Sequence, residues 1–401
     1  MGPMLRQRSR GPRWALVLLL VALALACAGL AQAFDWETAD PREVGVSQAK
    51  LDELGAYVAG TMRDLKAASA AALLVVRRGK IIYERYYGAH SFAQDARPTD
   101  ALSRFPVFSI TKTYCGVALM RLVEQGKMRL DDPVRKYIPE FTGTCGGKWN
   151  KDEVTIRHLA SHSSGIPPDI QFVDVLKAPL KFRPGTRFEY SDPAVELLTE
   201  AMERASGMTI AQMIDQWIAQ PLGLAGTGYV SPGDPEAMLV KLVRSGRDDL
   251  GQIYYDGPRG RGHSGLYLTA RDLAAFGLLF LNEGSVGGVP LLSPLSLREM
   301  TWPQPPAGPG PSNGLRYGIL LWLDDFRGSF LAAGWSHCHL VLIPHLELEV
   351  VVLRNRGGDP PGWDGGRDYV RIRDTAIAAC VPPPTPPWRM PMPDLSLEEL
   401  Q

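Results

Sequence analysis

Two stretches of this chain place a lysine three residues after a serine: Ser47-Gln48-Ala49-Lys50 and Ser109-Ile110-Thr111-Lys112. A serine hydroxyl attacks a carbonyl only when a base takes its proton, and a lysine one helical turn away serves if it can shed its charge. Ser47 needs no chemistry. It is placed to cap the amphipathic pattern Leu51, Leu54, Tyr57, Val58, which leaves Lys50 on the wet face. Ser109 instead follows Phe105-Pro106-Val107-Phe108 and opens the more apolar pattern Ile110, Tyr114, Val117, Ala118, the mark of a central, buried helix. A serine at such an N-terminus faces free backbone N–H groups and the positive end of the helix dipole, which favour developing negative charge. Lysine in water, with a pKa of ~10.4, stays charged; partial burial beside other cations would lower that value and let the Lys112 amine take the Ser109 proton. A capped helix with an incidental lysine explains this pair equally well when it is taken alone.

Other candidates carry less. Gly310-Pro311-Ser312-Asn313-Gly314 fits Gly-x-Ser-x-Gly, but a nucleophile elbow needs a strand before it and a helix after, and here a Pro-rich loop (303–311) flanks it. His337 and His339 alternate onto one strand face without an evident third ligand, so they are read as polar strand residues near a cleft, and no metal is expected. His158 and His162 share a helical spacing that Gly165 and Pro167 end, which leaves His162 to organise the loop beside the site.

The elements that must position these residues follow from periodicity. Residues 72–76 and 81–87 read as strands joined at Arg78-Gly79-Lys80. From 103 to 282 the pattern is mostly helical, with helices at 109–125, 192–205, 209–218 and 269–281. Strands return at 317–324, 329–333, 337–343 and 346–353, and a helix at 368–380 precedes a Pro-rich tail, 382–401. That order implies an α/β (α+β) fold: one antiparallel sheet built from both chain ends (about 45–100 and 290–381), flanked by terminal helices, with a mostly helical lobe (about 101–289) inserted and a cleft between them.

Three segments occur together in order: Ser109-Ile110-Thr111-Lys112; Val154-Thr155-Ile156-Arg157-His158-Leu159-Ala160-Ser161-His162-Ser163-Ser164-Gly165-Ile166; and Pro184-Gly185-Thr186-Arg187-Phe188-Glu189-Tyr190-Ser191-Asp192. Over about residues 41–380 the chain thereby resembles the serine beta-lactamase-like family, the class C beta-lactamases with their D-aminopeptidase and esterase relatives. The resemblance implies the beta-lactamase/transpeptidase-like fold, Ser109 as nucleophile, Lys112 as its partner and Tyr190 as a proton relay. A phenol beside an ammonium exchanges its proton more readily, which makes that relay physically sensible.

Two departures bear on substrate. Asp192 stands where the family usually has asparagine, and an ionised carboxylate accepts hydrogen bonds but donates none to a substrate carbonyl. The family's Lys-Thr-Gly or His-x-Gly motif aligns with Ala332-Ala333-Gly334, which keeps only the glycine. Gly334 still allows close backbone approach, so the N–H of Trp335 or Ser336 can join that of Ser109 as the oxyanion hole. The missing cation removes a partner for a substrate carboxylate. The expectation is a serine hydrolase that forms an acyl-enzyme with a small ester or amide, without a cofactor, and cleaves penicillin-type substrates poorly. The other reading is a catalytically weak protein on the same fold that holds peptidoglycan fragments or peptides.

Composition sets the outer bounds. The 401 residues are 45% hydrophobic, enough for a sizeable core, and 43 basic side chains balance 43 acidic ones, so no global field favours nucleic acid. Residues 1–33 read as a signal peptide: Arg6, Arg8, Arg10 and Arg13 precede an apolar run at 15–30, and Ala31-Gln32-Ala33 offers a cleavage site. Export to the periplasm or the medium is therefore expected. Membrane attachment follows only if that segment is retained, though it is short of the ~20 residues of a span, or if Cys27 in the lipobox-like Ala24-Leu25-Ala26-Cys27 is lipidated. Outside it, Cys115, Cys145, Cys338 and Cys380 could form up to two disulfides, although Cys115 also fits a packed free thiol.

Overall fold

A computed structural model of the protein describes residues 33–65, 68–244, 251–253, 255, 257–304, 314–324, 327–357 and 364–382. The leader with Cys27, the match at Ser312 and the tail beyond 382 lie outside the described residues.

Helix α1 (Gln48–Leu65) is followed by strands β1 (Ala70–Arg77) and β2 (Lys80–Gly88). Arg78 and Gly79 join the strands with φ of 51° and 74°, the paired left-handed residues whose twist matches a two-residue hairpin. Sequence Ala-Ala-Ala-Leu-Leu-Val-Val in β1 does not alternate, because both faces of that strand are covered. Ala72, Leu74 and Val76 join the core shared with the helical lobe, while Ala71, Leu73 and Val75 pack with Leu51, Leu54 and Val58 of α1.

The helical lobe holds α2 (Thr111–Glu124), α3 (Ile156–Ala160), α4 (Asp192–Ser206) and α5 (Ala270–Leu281). The other strands of the main sheet are β3 (Arg316–Tyr317), β4 (Trp322–Asp324), β5 (Ser329–Gly334), β6 (Cys338–Ile343) and β7 (Leu348–Arg354), and helix α6 (Gly365–Ala379) closes the fold. The seven strands form one sheet in the order β2-β1-β7-β6-β5-β4-β3, antiparallel throughout, with Leu73 opposite Val352 and Leu340 opposite Val351. β1 from one end of the chain thus lies beside β7 from the other, as the α/β reading requires.

Differences from the sequence reading have physical causes. The strand expected at 317–324 is split into β3 and β4 around Leu320, whose φ is 54°. There the chain leaves the ladder to bond the helical lobe: Leu320 N–H donates to the Ala160 carbonyl at 3.0 Å, and the Leu320 carbonyl accepts from Thr113 Oγ1 at 3.1 Å. Cys115, Cys145, Cys338 and Cys380 are all free thiols rather than disulfides.

His337 and His339 do not face the helical lobe. His337 sits in a left-handed turn with φ 58°, and His339 lies on the face of β6 turned to the terminal helices. Asp368 of α6 supplies the third group that sequence alone did not reveal, and the three ligand atoms fall within 4.8 Å of one another. A cation already fills this cluster: Arg354 Nη1 donates to Asp368 Oδ2 at 2.8 Å, His339 Nε2 lies 3.0 Å from the same oxygen, and Tyr57 donates to Oδ1 at 2.7 Å. Those contacts hold the Asp368 carboxyl far below its ordinary range against the opposing effect of burial. The arrangement is a buried structural ion pair that ties α6 to the sheet, and its guanidinium would repel a metal ion.

Candidate active site

Ser109 falls in a single 3-10 turn, Phe108–Ile110, that leads into α2, so it precedes the first α-helical residue instead of capping it. Phe108 before it has φ of 46°, an uncommon conformation for an aromatic residue and a strained one. The surroundings hold this turn in place. The short strand Phe105–Pro106 pairs with Leu266–Leu268, and Val107 N–H donates to the Leu266 carbonyl at 3.0 Å. Across from it the end of β5 comes so close that a Cβ at Gly334 would lie 2.2 Å from the Val107 carbonyl oxygen. The glycine kept from the third motif is thus required by contact with the serine's own turn.

Lys112 is 1% exposed. Its Nζ lies 3.0 Å from Ser109 Oγ, 2.9 Å from the His263 carbonyl oxygen and 2.7 Å from Asp192 Oδ1. Ser109 and the His263 carbonyl accept hydrogen bonds from this amine and the Asp192 carboxylate stands in ion-pair contact with it, surroundings that suit a charged ammonium. The sequence reading placed Lys112 among cations, and the structure corrects it: its neighbours are the Asp192 carboxylate and the Tyr190 phenol. Burial by itself would lower the lysine pKa, but Tyr190 and Asp192 outweigh it, and the net effect raises the pKa above its ordinary value.

Asp192 is corrected in the same way. It opens α4 behind the N-cap Ser191, and its half-exposed carboxylate is engaged by Lys112 rather than presented freely to a ligand. Burial opposes its ionisation, yet Lys112 keeps its pKa below the usual carboxylate value.

Tyr190 brings its ring to 4.9 Å from Lys112 Nζ, and its hydroxyl is a hydrogen-bond partner of that amine. Around it stand rings from both lobes: Trp322 lies parallel with centroids 5.9 Å apart, Tyr317 at 6.4 Å, and the His162 imidazole at 4.1 Å. His162 is 1% exposed, and burial together with the Lys112 charge pushes its pKa down to about 3. Trp335, half exposed, packs edge-on against Phe108 with centroids 5.3 Å apart, at the rim of the serine turn. Ser336 has no exposed surface, and its hydroxyl donates to the Pro106 carbonyl at 3.0 Å. The Ser336 side chain therefore anchors β5 to the short strand before Ser109, and only its backbone remains a candidate oxyanion donor.

The structure thus brings Ser109, Lys112, Tyr190, Asp192 and the Gly334–Ser336 turn to one place. Sequence reasoning missed His263, whose contribution is a main-chain oxygen with no side-chain signature, and Tyr317, whose ring stands edge-on to that of Tyr190. Ser47 and Lys50 stay apart from the site, with Lys50 paired to Glu53 on the surface of α1.

Residues 58–375 match the family model described as Beta-lactamase. An uncharacterized protein of Alkalihalophilus pseudofirmus is 27% identical over 333 residues, covering 79% of this chain and 93% of its own. Esterase EstB of Burkholderia gladioli is 31% identical over 228 residues, which cover 50% of this chain and 57% of the esterase. Among solved structures, EstCE1, described as a hydrolase with promiscuous acyltransferase activity, superposes with a TM-score of 0.66 at 24% identity, covering 82% of this chain and 98% of its own.

Proposed function

The chain belongs to the beta-lactamase family of serine hydrolases, and from that premise we propose that it cleaves small esters or amides through an acyl-enzyme formed on Ser109. The observation that carries this reading is the 3.0 Å contact between Ser109 Oγ and the buried Lys112 Nζ. Held in its charged form by Tyr190 and Asp192 against the effect of burial, Lys112 acts as an ammonium that stabilises charge on Ser109 Oγ as it attacks the carbonyl. Tyr190 moves the proton: its oxygen takes the hydrogen leaving Ser109 and gives its own to the departing alkoxide or amine. Backbone N–H groups of Ser109 and of the turn after Gly334 hold the carbonyl oxygen as it becomes negative. Water then repeats the sequence in reverse and frees the acyl group.

Esters are favoured over penicillin-type substrates. Ala332, on the face of β5 turned to the helical lobe, has a methyl group where the family's cation would bind the carboxylate of a penicillin. The name of the similar EstB supports an ester as the substrate. The basic start, apolar run and small-residue site of residues 1–33 support export, which fractionation of cells expressing the full chain tests.

The test of the chemistry is a serine-reactive phosphonate applied to the protein and to Ser109→Ala. The expected result is one stoichiometric adduct on the parent and none on the variant; an unlabelled parent, or equal labelling of both, overturns the reading. A panel of p-nitrophenyl esters and a chromogenic cephalosporin then separates substrates, with short-chain ester turnover expected and efficient cephalosporin hydrolysis counting against the role given to Ala332.

A further inference from the structure

We infer that His162 is the positioning residue of Tyr190: it grips the backbone on both sides of the tyrosine and fixes the phenol against Lys112. This rests on the acyl-enzyme reading above and names a further residue for it. The His162 carbonyl accepts from Glu189 N–H at 2.8 Å, and its ring Nδ1 accepts from Ser191 N–H at 3.1 Å. Those two donors flank Tyr190, so one residue holds the preceding and the following peptide while its ring lies against the tyrosine ring.

The geometry serves this purpose at a cost. His162 has φ of 55°, a left-handed backbone that lets its carbonyl and its ring reach the same strand of chain. Because Nδ1 accepts, the hydrogen of the neutral imidazole sits on Nε2, and that buried atom has no hydrogen-bond partner among the described residues. Leaving a buried donor unpaired is unfavourable, and a histidine kept only for packing would be replaced without loss by an apolar ring. The polar work of His162 is spent on the flanks of Tyr190. The low pKa of the imidazole keeps the Nδ1 lone pair available throughout the neutral range. Its ring also lies 5.0 Å from that of Tyr317 on β3, so the position of the sheet edge is passed through His162 to the tyrosine.

The contact predicts how substitutions rank. Asn places an acceptor oxygen near the position of Nδ1 and tolerates a left-handed backbone, whereas Phe keeps the ring and loses the acceptor. Ester hydrolysis by His162→Phe should show kcat lowered roughly ten- to a hundredfold with KM changed less than about threefold, the loss that follows from one buried N–H left unpaired beside a proton-transferring group. His162→Asn should recover most of that loss. In a Tyr190→Phe background, His162→Phe should cost little more, because the group it positions is already gone. Thermal unfolding of each variant shows whether the fold persists, and phosphonate labelling of the parent tests the nucleophile separately. If the parent labels but His162→Phe lowers kcat equally with and without the Tyr190 hydroxyl, or His162→Asn is as poor as His162→Phe, the positioning role falls while Ser109 stands. An unlabelled parent removes the acyl-enzyme reading and this inference with it.

Discussion

Glu349 of β7 has no exposed surface, and neither of its carboxyl oxygens has a hydrogen-bond partner among the described residues. It faces α5, which passes so near that a Cβ on Gly277 would lie 2.2 Å from Oε1. With no cation to offset burial, its pKa is raised well above the ordinary carboxyl value of 4.5. The folded chain therefore holds this proton to higher pH than the unfolded chain, where the group lies in water. The unfolded state then holds one proton fewer than the folded state, and stability falls as pH rises, by about 1.4 kcal/mol for each pH unit above the unfolded value until the folded group also ionises. Glu349→Gln keeps the shape and removes the titration. Across the pH range upward from the ordinary carboxyl value, the stability of the variant relative to the parent should grow in favour of Gln, by about 1.4 kcal/mol per pH unit for as long as the folded carboxyl stays protonated. Urea unfolding of both proteins across that range measures the difference directly. A difference that stays constant with pH would mean that the folded carboxyl is already charged or solvated, and would refute the reasoning.

Two further outcomes follow from the site. Asp192→Asn removes the carboxylate that helps hold Lys112 protonated, so the alkaline limb of the kcat/KM profile should move to lower pH; a gain of activity at neutral pH instead would show that the neutral lysine is the base. Gly334→Ala forces a methyl against the Val107 carbonyl, which cannot yield without moving the Ser109 turn, and kcat/KM should drop about a hundredfold; parental activity in ester hydrolysis would place the turn elsewhere during catalysis.

Much of this arrangement was legible in the residues. The apolar run of β1, the Arg78-Gly79 turn and the helical spacing after Ser109 locate elements because each follows from local periodicity and backbone preference. Ser109, Lys112 and Tyr190 were legible as a set because their motifs occur together in one order. The charge state of Lys112 was not, since it depends on Asp192, 80 residues further on, and on the backbone oxygen of His263. Asp368 likewise stayed hidden, as nothing local to α6 records that His339 and Arg354 will be brought against it.

Strand β1 pairs on one side with its hairpin neighbour and on the other with β7, nearly three hundred residues downstream. Until the last strand is made, the inner edge of that hairpin has no mate, and the serine turn lacks the β5 wall that steadies it. Assembly must wait for the far end of the chain, which makes it slow and leaves a sticky apolar ribbon uncovered meanwhile. A gene cut short before residue 348 would yield clumped polypeptide, not a weakened enzyme, even though every residue named in the chemistry would still be present.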